Sequence, residues 1–333
     1  LHMSSRQKLW CVVWIVILGL GLLCTTQAAE HSKLRDPLPG VLDEAGSGEL
    51  VPVFFVLEDQ LSGERLLAHG GAEQRGELRR ARMIDALKQH ASAGQARLRE
   101  QLLLAEQGGR AGRLRFLWIG NIVAADLTRD EILRLAELPE VGHVSYSPKV
   151  DISLQNMSPV PLREPLFSWM APADVGVDEI ECGVELMRAP EVWNDFGNTG
   201  DGAVVAVIDS GVCWYHPDIE AQMWVNPGED LDGDGVVMDP DDENGIDDDG
   251  NGYVDDLIGY DIENRDSDPN DNNSHGSHCA GTVAGDGTSG TQAGMAPDAQ
   301  IMALRVGLTF SDEPDVWEAM QYAAENGADA VSM

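Results

Sequence analysis

Apolar residues along this chain change their spacing several times, and each change marks an expected element. Leu50–Leu57 is a short, continuous apolar run with the length and content of a strand. From Glu73 to Gln107 the chain is rich in Ala, Leu, Arg and Glu. That composition favours a long helix, punctuated by Gly94 and ended by Gly108-Gly109. Arg113–Ile119 predicts a second strand. Thr128-Arg-Asp-Glu131 has the spacing of a capping box, in which hydroxyl and carboxylate each satisfy a free helix N–H. The helix it opens carries Ile132, Leu135 and Leu138 on one face, and Val141–Ser147 predicts another strand. Two strand–helix alternations over 50–150 indicate a small α+β unit of the split βαβ kind. A polar lead-in, 30–49, precedes it.

Prolines at 148, 159, 161, 165 and 172 then break any periodicity, and 151–177 reads as an extended, cleavable linker. A second unit, 178–333, has a different pattern. Gly202–Ile208 is wholly apolar and β-branched, as a central parallel strand must be when both its faces are covered. Ile301–Val306 repeats this run. Val316–Asn326 is an amphipathic helix ended by Gly327, and Ala328–Met333 opens a further buried strand. The fold class is therefore α/β, a doubly wound parallel sheet, preceded by the smaller α+β unit.

Charge separates the two units again. Residues 1–150 hold 18 basic and 18 acidic side chains, whereas 151–333 hold 39 acidic and 4 basic ones. The net charge of −35 thus belongs wholly to the second part. Such a surface repels nucleic acid and anionic lipid and needs cations to relieve its self-repulsion. At the other end, Arg6 and Lys8 precede the apolar run Leu9–Leu23, short for a membrane span, with small residues at Ala28 and Ala29. Residues 1–29 read as a secretory signal starting at Met3, so the expected location is extracellular or periplasmic, without stable membrane association after cleavage. Cys11 and Cys24 lie in that signal, which leaves Cys182, Cys213 and Cys279, too few for a disulfide framework.

Chemistry concentrates in two segments. Asp209 stands at the carboxyl end of the predicted central strand, where such sheets collect reactive groups. A carboxylate there can hold an imidazole N–H and stabilise the imidazolium that forms when His takes a proton; a strand-end Asp equally serves as a turn cap. His275 opens a segment dense in small residues, Gly276, Ser277, Ala280, Gly281, Ala284 and Gly285, which lets a helix pack tightly on the sheet. Cys279 lies one turn on, along the same face. His275-x-x-His278 also shares a face, but it lacks the glutamate of the zinc-hydrolase motif, so no metal other than calcium is expected.

Taken together, the chain resembles a subtilase precursor, a subtilisin-like serine endopeptidase with its propeptide. The likeness rests on Val205-Ala-Val-Ile-Asp-Ser-Gly-Val212, His216-Pro-Asp-Ile219, His275-Gly-Ser-His-Cys-Ala-Gly-Thr282, Gly294-Met-Ala-Pro297 and Asn326-Gly-Ala-Asp-Ala-Val-Ser-Met333. More weakly, Gly120-Asn-Ile-Val-Ala-Ala-Asp-Leu-Thr128 and Leu138-Pro-Glu-Val141 resemble the family's propeptide. By that resemblance Asp209 and His275 are catalytic, protein or peptide is the substrate, and the 50–150 unit is an intramolecular inhibitor released by a cut between Lys149 and Ser158. The family's nucleophile lies in a Gly-Thr-Ser-Met-Ala-type segment, which is absent from these residues. The expectation is a C-terminally truncated peptidase domain that does not hydrolyse peptides by itself. Two other classes retain the same features: a calcium-stabilised binding module without catalysis, and a propeptide-like unit that inhibits proteases.

Between the two segments lies an acidic block, Asn226 to Asp271. Asp230-x-Asp232-x-Asp234-Gly235 places oxygens at alternate positions around a turn, with Asp241 at the twelfth place of an EF-hand-like loop. Asp247-x-Asp249-x-Asn251-Gly252 repeats the pattern, with Asp255 at the ninth. Structural calcium is the expected cofactor, a solvated acidic loop being the simpler alternative. Asp218 could serve a separate site.

Overall fold

Residues 33–70, 77–148, 179–307 and 313–333 are described by the structure, a computed structural model. The expected signal 1–29 and linker 151–177 lie outside the described residues. The described residues fall into two units.

The first unit (33–70 with 85–148) is built on alternation. Helix α1 (Leu38–Glu44) precedes strand β1 (Leu50–Leu57), whose Val51, Val53, Phe55 and Leu57 all point into one core. A short helix, α2 (Gly63–Gly70), follows, and then the long α3 (Glu77–Gln107). Leu98, Leu102 and Ala105 of α3 are fully buried at helical spacing. The chain then forms β2 (Ala111–Leu117), β3 (Ile122–Thr128), α4 (Arg129–Ala136) and β4 (Val141–Tyr146). The sheet order is β2-β3-β1-β4, with β1 antiparallel to both β3 and β4.

Four features here depart from the sequence pattern. The expected helix runs straight through Gly94, whose neighbour on the far side is the Asn121 side chain. Strand β3 was not legible as a strand, because Asp126 interrupts its apolar run; Arg113 takes that carboxylate in a two-pronged ion pair at 2.6 and 2.8 Å. The helix after Thr128 forms without the expected capping box. Glu131 is instead buried and drawn to Arg110 and Arg134, so its carboxylate is unavailable to the Thr128 N–H. The polar lead-in is also folded: Leu38 and Leu42 of α1 are in the core.

The second unit begins with β5 (Glu179–Ile180), α5 (Cys182–Leu186) and α6 (Ala189–Phe196). Its main sheet contains β6 (Val204–Asp209), β7 (Gly259–Asp261), β9 (Gln300–Arg305) and β10 (Ala330–Ser332), all parallel, in the order β10-β6-β9-β7. Helix α7 (His275–Ala284) and helix α8 (Glu313–Glu325) cover opposite faces, and β8 (Thr291–Gln292) pairs with β5. Successive residues of β6 divide between two cores. Ala206 and Ile208 join Ala319, Tyr322 and Ala323 of α8, whereas Val207 joins Ala280 and Ala284 of α7. That division is why the strand is apolar at every position.

This is a mixed α/β unit with a parallel sheet covered on both faces. Two details differ from the pattern. The last strand, β10, is at the sheet edge and largely exposed rather than buried. The acidic block also contains a strand, β7, flanked by buried Leu257, Ile258 and Ile262. At three residues, β7 is too short for its alternation to stand out. Among the described residues no helix is long and apolar enough to cross a membrane.

Candidate active site

Strand β6 delivers Asp209 as its last residue, 4 % exposed, at the carboxyl edge of the sheet. Its Oδ1 accepts a hydrogen bond from the Ser210 N–H at 2.7 Å. His275, the first residue of α7, brings Nδ1 to 2.8 Å from both Asp209 oxygens. The His275 side chain is 46 % exposed, so the acid is sheltered while the imidazole reaches solvent. A carboxylate on Nδ1 holds the tautomer with its proton there and leaves Nε2 free to accept one. Asp209 and His275 are thus brought together, 66 residues apart in the chain.

The seat of His275 is built from hydroxyls and one further carboxylate. Ser274, the residue before α7, has φ of 77° and makes no side-chain cap. The free N–H groups of the first turn find other partners. Gly276 N–H donates to Ser210 Oγ at 3.0 Å, and Ser277 N–H donates to Asp271 Oδ2 at 2.9 Å. Ser210 Oγ in turn donates to Asp271 Oδ1 at 2.8 Å. Asp271 thereby ties the turn after Asp209 to the helix that begins with His275. Burial pushes the Asp271 carboxyl upward, but hydrogen bonds from Ser277, Asn273 and Ser210 outweigh it and hold it below its ordinary range. Gly276 permits the closeness: a methyl there would lie 2.1 Å from Gly211 O and 3.1 Å from Asp209 Cβ.

Cys279 Sγ lies 3.9 Å from His275 Nδ1, confirming the shared helix face. Burial, followed by the charge of Asp209, pushes its thiol up. A thiol kept protonated, on the Nδ1 side of the ring, is poorly placed as a nucleophile served by Nε2. Among the described residues Cys182, Cys213 and Cys279 form no disulfide. His278 does not join His275; it lines a pocket of about 520 Å³ with Glu181, His216 and Asp218.

In the acidic block two groups of carboxylates converge. Asp230, Asp232 and Asp234 form one, their ligand oxygens within 4.8 Å of one another. Asp247 and Asp249 form the second, joined by Glu229. Asp241 falls outside the first group and is exposed, while its neighbour Asp242 is buried and accepts the Leu231 N–H at 2.9 Å. Asp255 turns to the Asn244 and Gly245 N–H groups at 3.0 and 2.9 Å. The Asn251 amide donates to Asp249 and Asp256, each at 3.0 Å. Asp256 is fully buried, and burial pushes its carboxyl up to about 7 although Tyr322 and Asn251 hydrogen bonds favour the ionised form. Glu229 is likewise pushed upward by burial, against hydrogen bonds from the Asp249 and Asp248 backbones.

Sequence spacing missed Ser210, Asp271, Ser277, Glu229, Asp242 and Asp256. Asp271 carried a local signal: an Asp followed by Asn-Asn-Ser before a helix is turn chemistry, here with Asn273 and Ser274 N–H donating to its Oδ1. Glu229 and Asp242 carried none, since only tertiary packing separates them from their exposed acidic neighbours.

Comparison with known proteins bears on residues around this pair. Residues 200–333 match the Subtilase family, peptidase S8. The chain is 26 % identical over 250 residues to Bacillopeptidase F of Bacillus subtilis, covering 73 % of this chain and 15 % of that protein. It is 30 % identical over 203 residues to Thermophilic serine proteinase of Bacillus sp. strain AK1, covering 58 % and 41 %. To Thermitase of Thermoactinomyces vulgaris it is 29 % identical over 167 residues, covering 49 % and 47 %. The chain thus spans less than half the length of these curated relatives. Residues 200–333 are thus similar to the Subtilase family, these relatives are named as serine proteases, and the Asp209–His275 contact lies within that matched stretch.

Proposed function

We propose that this chain is the amino-terminal part of a secreted subtilase precursor that hydrolyses protein or peptide substrates. The observation that carries the reading is the 2.8 Å contact of His275 Nδ1 with a buried strand-end carboxylate. His275 Nε2 takes the proton of a serine hydroxyl as it attacks the scissile carbonyl, then returns that proton to the leaving amine. Asp209 orients the ring and stabilises the imidazolium, and Asp271 with Ser210 holds the helix start in place. The serine comes from sequence outside these 333 residues, a reading supported by the greater length of the relatives.

The unit over 50–150 acts as the propeptide and intramolecular inhibitor, and residues 1–29 direct export. The βααββαβ element order over 50–150 supports an independent fold, and the similarity to Bacillopeptidase F covers too much of the chain to be confined to the second unit. The acidic block holds structural calcium, for which hard, clustered carboxylates are fitting donors; calcium there neutralises repulsion between them. Asp230, Asp232 and Asp234 hold it in the first loop, and Asp247 and Asp249 in the second.

A serine-directed fluorophosphonate tests the function. Protein expressed from the source gene read past codon 333 should be labelled on one serine, and His275→Ala should abolish labelling. Absence of any labelled serine in that protein would leave a subtilase-like binding module instead.

A further inference from the structure

We propose that Glu229 is the closing ligand of a calcium site with Asp247 and Asp249, a role that loop spacing assigns to other residues. The proposal rests on the reading of the acidic block as calcium-binding and names the ligands of its second site. Glu229 is 0 % exposed. Its Oε1 accepts the Asp248 and Asp249 N–H groups at 2.9 and 3.2 Å, which fixes the side chain against that loop. Its Oε2 is buried and has no hydrogen-bond partner among the described residues. A buried carboxylate oxygen without a donor is costly, and a cation removes that cost where no N–H can reach.

Geometry places the cation. One carboxylate oxygen each from Glu229, Asp247 and Asp249 lie within 4.8 Å of one another. Calcium binds oxygens at ~2.3–2.6 Å, so ligands on opposite sides of it are roughly 5 Å apart, and this group fits such a sphere. Asp247 keeps lone pairs free while its two oxygens accept the Asn251 and Gly252 N–H groups at 3.0 and 2.9 Å. Asp249 is pressed against the Glu229 segment: a methyl on Gly228 would come within 2.5 Å of its Cβ. Asn226 adds a strut, its amide donating to Asp249 Oδ2 and Asp256 Oδ1 at 3.2 Å each.

The two further residues that an EF-hand-like spacing would recruit are otherwise engaged. Asp255 serves the Asn244–Gly245 turn, and Asn251 Oδ1 accepts the Tyr253 N–H at 2.7 Å. The site therefore closes from upstream, across about 20 residues of chain. Such a cation staples the start of the acidic block to the segment leading into β7.

Calorimetric titration of calcium into the chelator-stripped chain, with thermal unfolding in calcium, magnesium and chelator, tests this. The wild type should bind calcium and unfold at a higher temperature in its presence. Glu229→Gln, which keeps the side chain's shape, should weaken one binding step on the order of ten-fold or more and lose part of that thermal shift. Asp232→Asn, in the other loop, should leave the Glu229-dependent step intact. Should Glu229→Gln fail to fold by circular dichroism, Asp247→Asn replaces it with the same expectation. Unchanged calcium affinity and stoichiometry in the folded variant would overturn the ligand assignment while the calcium reading stood. No calcium binding by the wild type would overturn both. Neither result reads peptide hydrolysis, so the peptidase reading is judged separately.

Discussion

Asp209 and Glu229 are both buried carboxylates in the same unit, 4 % and 0 % exposed, yet they are satisfied in opposite ways. Asp209 meets a ring N–H at 2.8 Å and a backbone N–H at 2.7 Å, so its charge is balanced by groups the chain supplies. Among the described residues Glu229 has donors on one oxygen only, and carboxylates for neighbours. The strand-end site is complete as an acid–imidazole pair; Glu229, Asp247 and Asp249 converge as three carboxylates, while Arg305 pairs with Asp261 and Glu263 elsewhere in the block. On the proposed reading, the contrast separates a carboxylate that steers a proton from one that holds a cation.

The sharpest way to break that contrast is to neutralise the first acid. In the hydrolytic protein, Asp209→Asn should lower kcat on the order of 10⁴-fold with KM little changed, because the ring loses its tautomer control. A fall of only a few-fold in peptide-substrate kinetics would mean that Asp209 is a turn cap. Next comes the packing between the two segments. Gly276→Ala drives a methyl into Gly211 O and toward Asp209, so denaturant unfolding should show a loss of about 1–3 kcal/mol and a displaced imidazole. An unaltered midpoint would show that α7 is not held tightly on β6.

Asp271→Asn is a milder probe, expected to cost about 1 kcal/mol, the usual scale for a lost helix-start carboxylate. Its pH signature has a definite sign. The folded carboxyl lies below its ordinary value, so its contribution is present above the unfolded pKa of about 4 and is lost as pH falls through the lower folded value. The Asn variant should lack that part of the acid-side slope in unfolding midpoint against pH. The smallest expected effect is on Cys279. Asp209's charge is the second cause, after burial, of its raised thiol pKa, so Asp209→Asn should shift its alkylation profile to lower pH. Identical profiles, read by mass spectrometry of that peptide, would mean the thiol does not feel the acid.

The same comparison shows what the sequence could reveal. Asp209 was legible because an apolar, β-branched run leads directly to it, and parallel strands buried on both faces place their last residue at the reactive edge. His275 was legible because the small residues after it predict a tightly seated helix, and Gly276, Ala280 and Ala284 are indeed buried. In the acidic block, alternation located the carboxylates but not their partners. Asp241 and Asp242 are adjacent and chemically alike, and only folding decides that one is exposed and the other buried. Strand β7 was hidden for a related reason: its pairing with β9 depends on a long-range contact, and three residues carry too little pattern to predict it. In the first unit, β3 was obscured by Asp126 and the capping box was overridden by Arg110 and Arg134. Tertiary charge pairs won over local signals in both places.

Nitrogen-15 NMR of the His275 ring in this chain tests the account's centre most directly, since it needs no nucleophile. In its neutral form the ring should carry its proton on Nδ1, with Nε2 bare and a low-field proton resonance that disappears in Asp209→Asn. A ring protonated on Nε2 alone, or a spectrum indifferent to Asp209→Asn, would contradict the assignment of this pair as the proton-handling half of a serine protease.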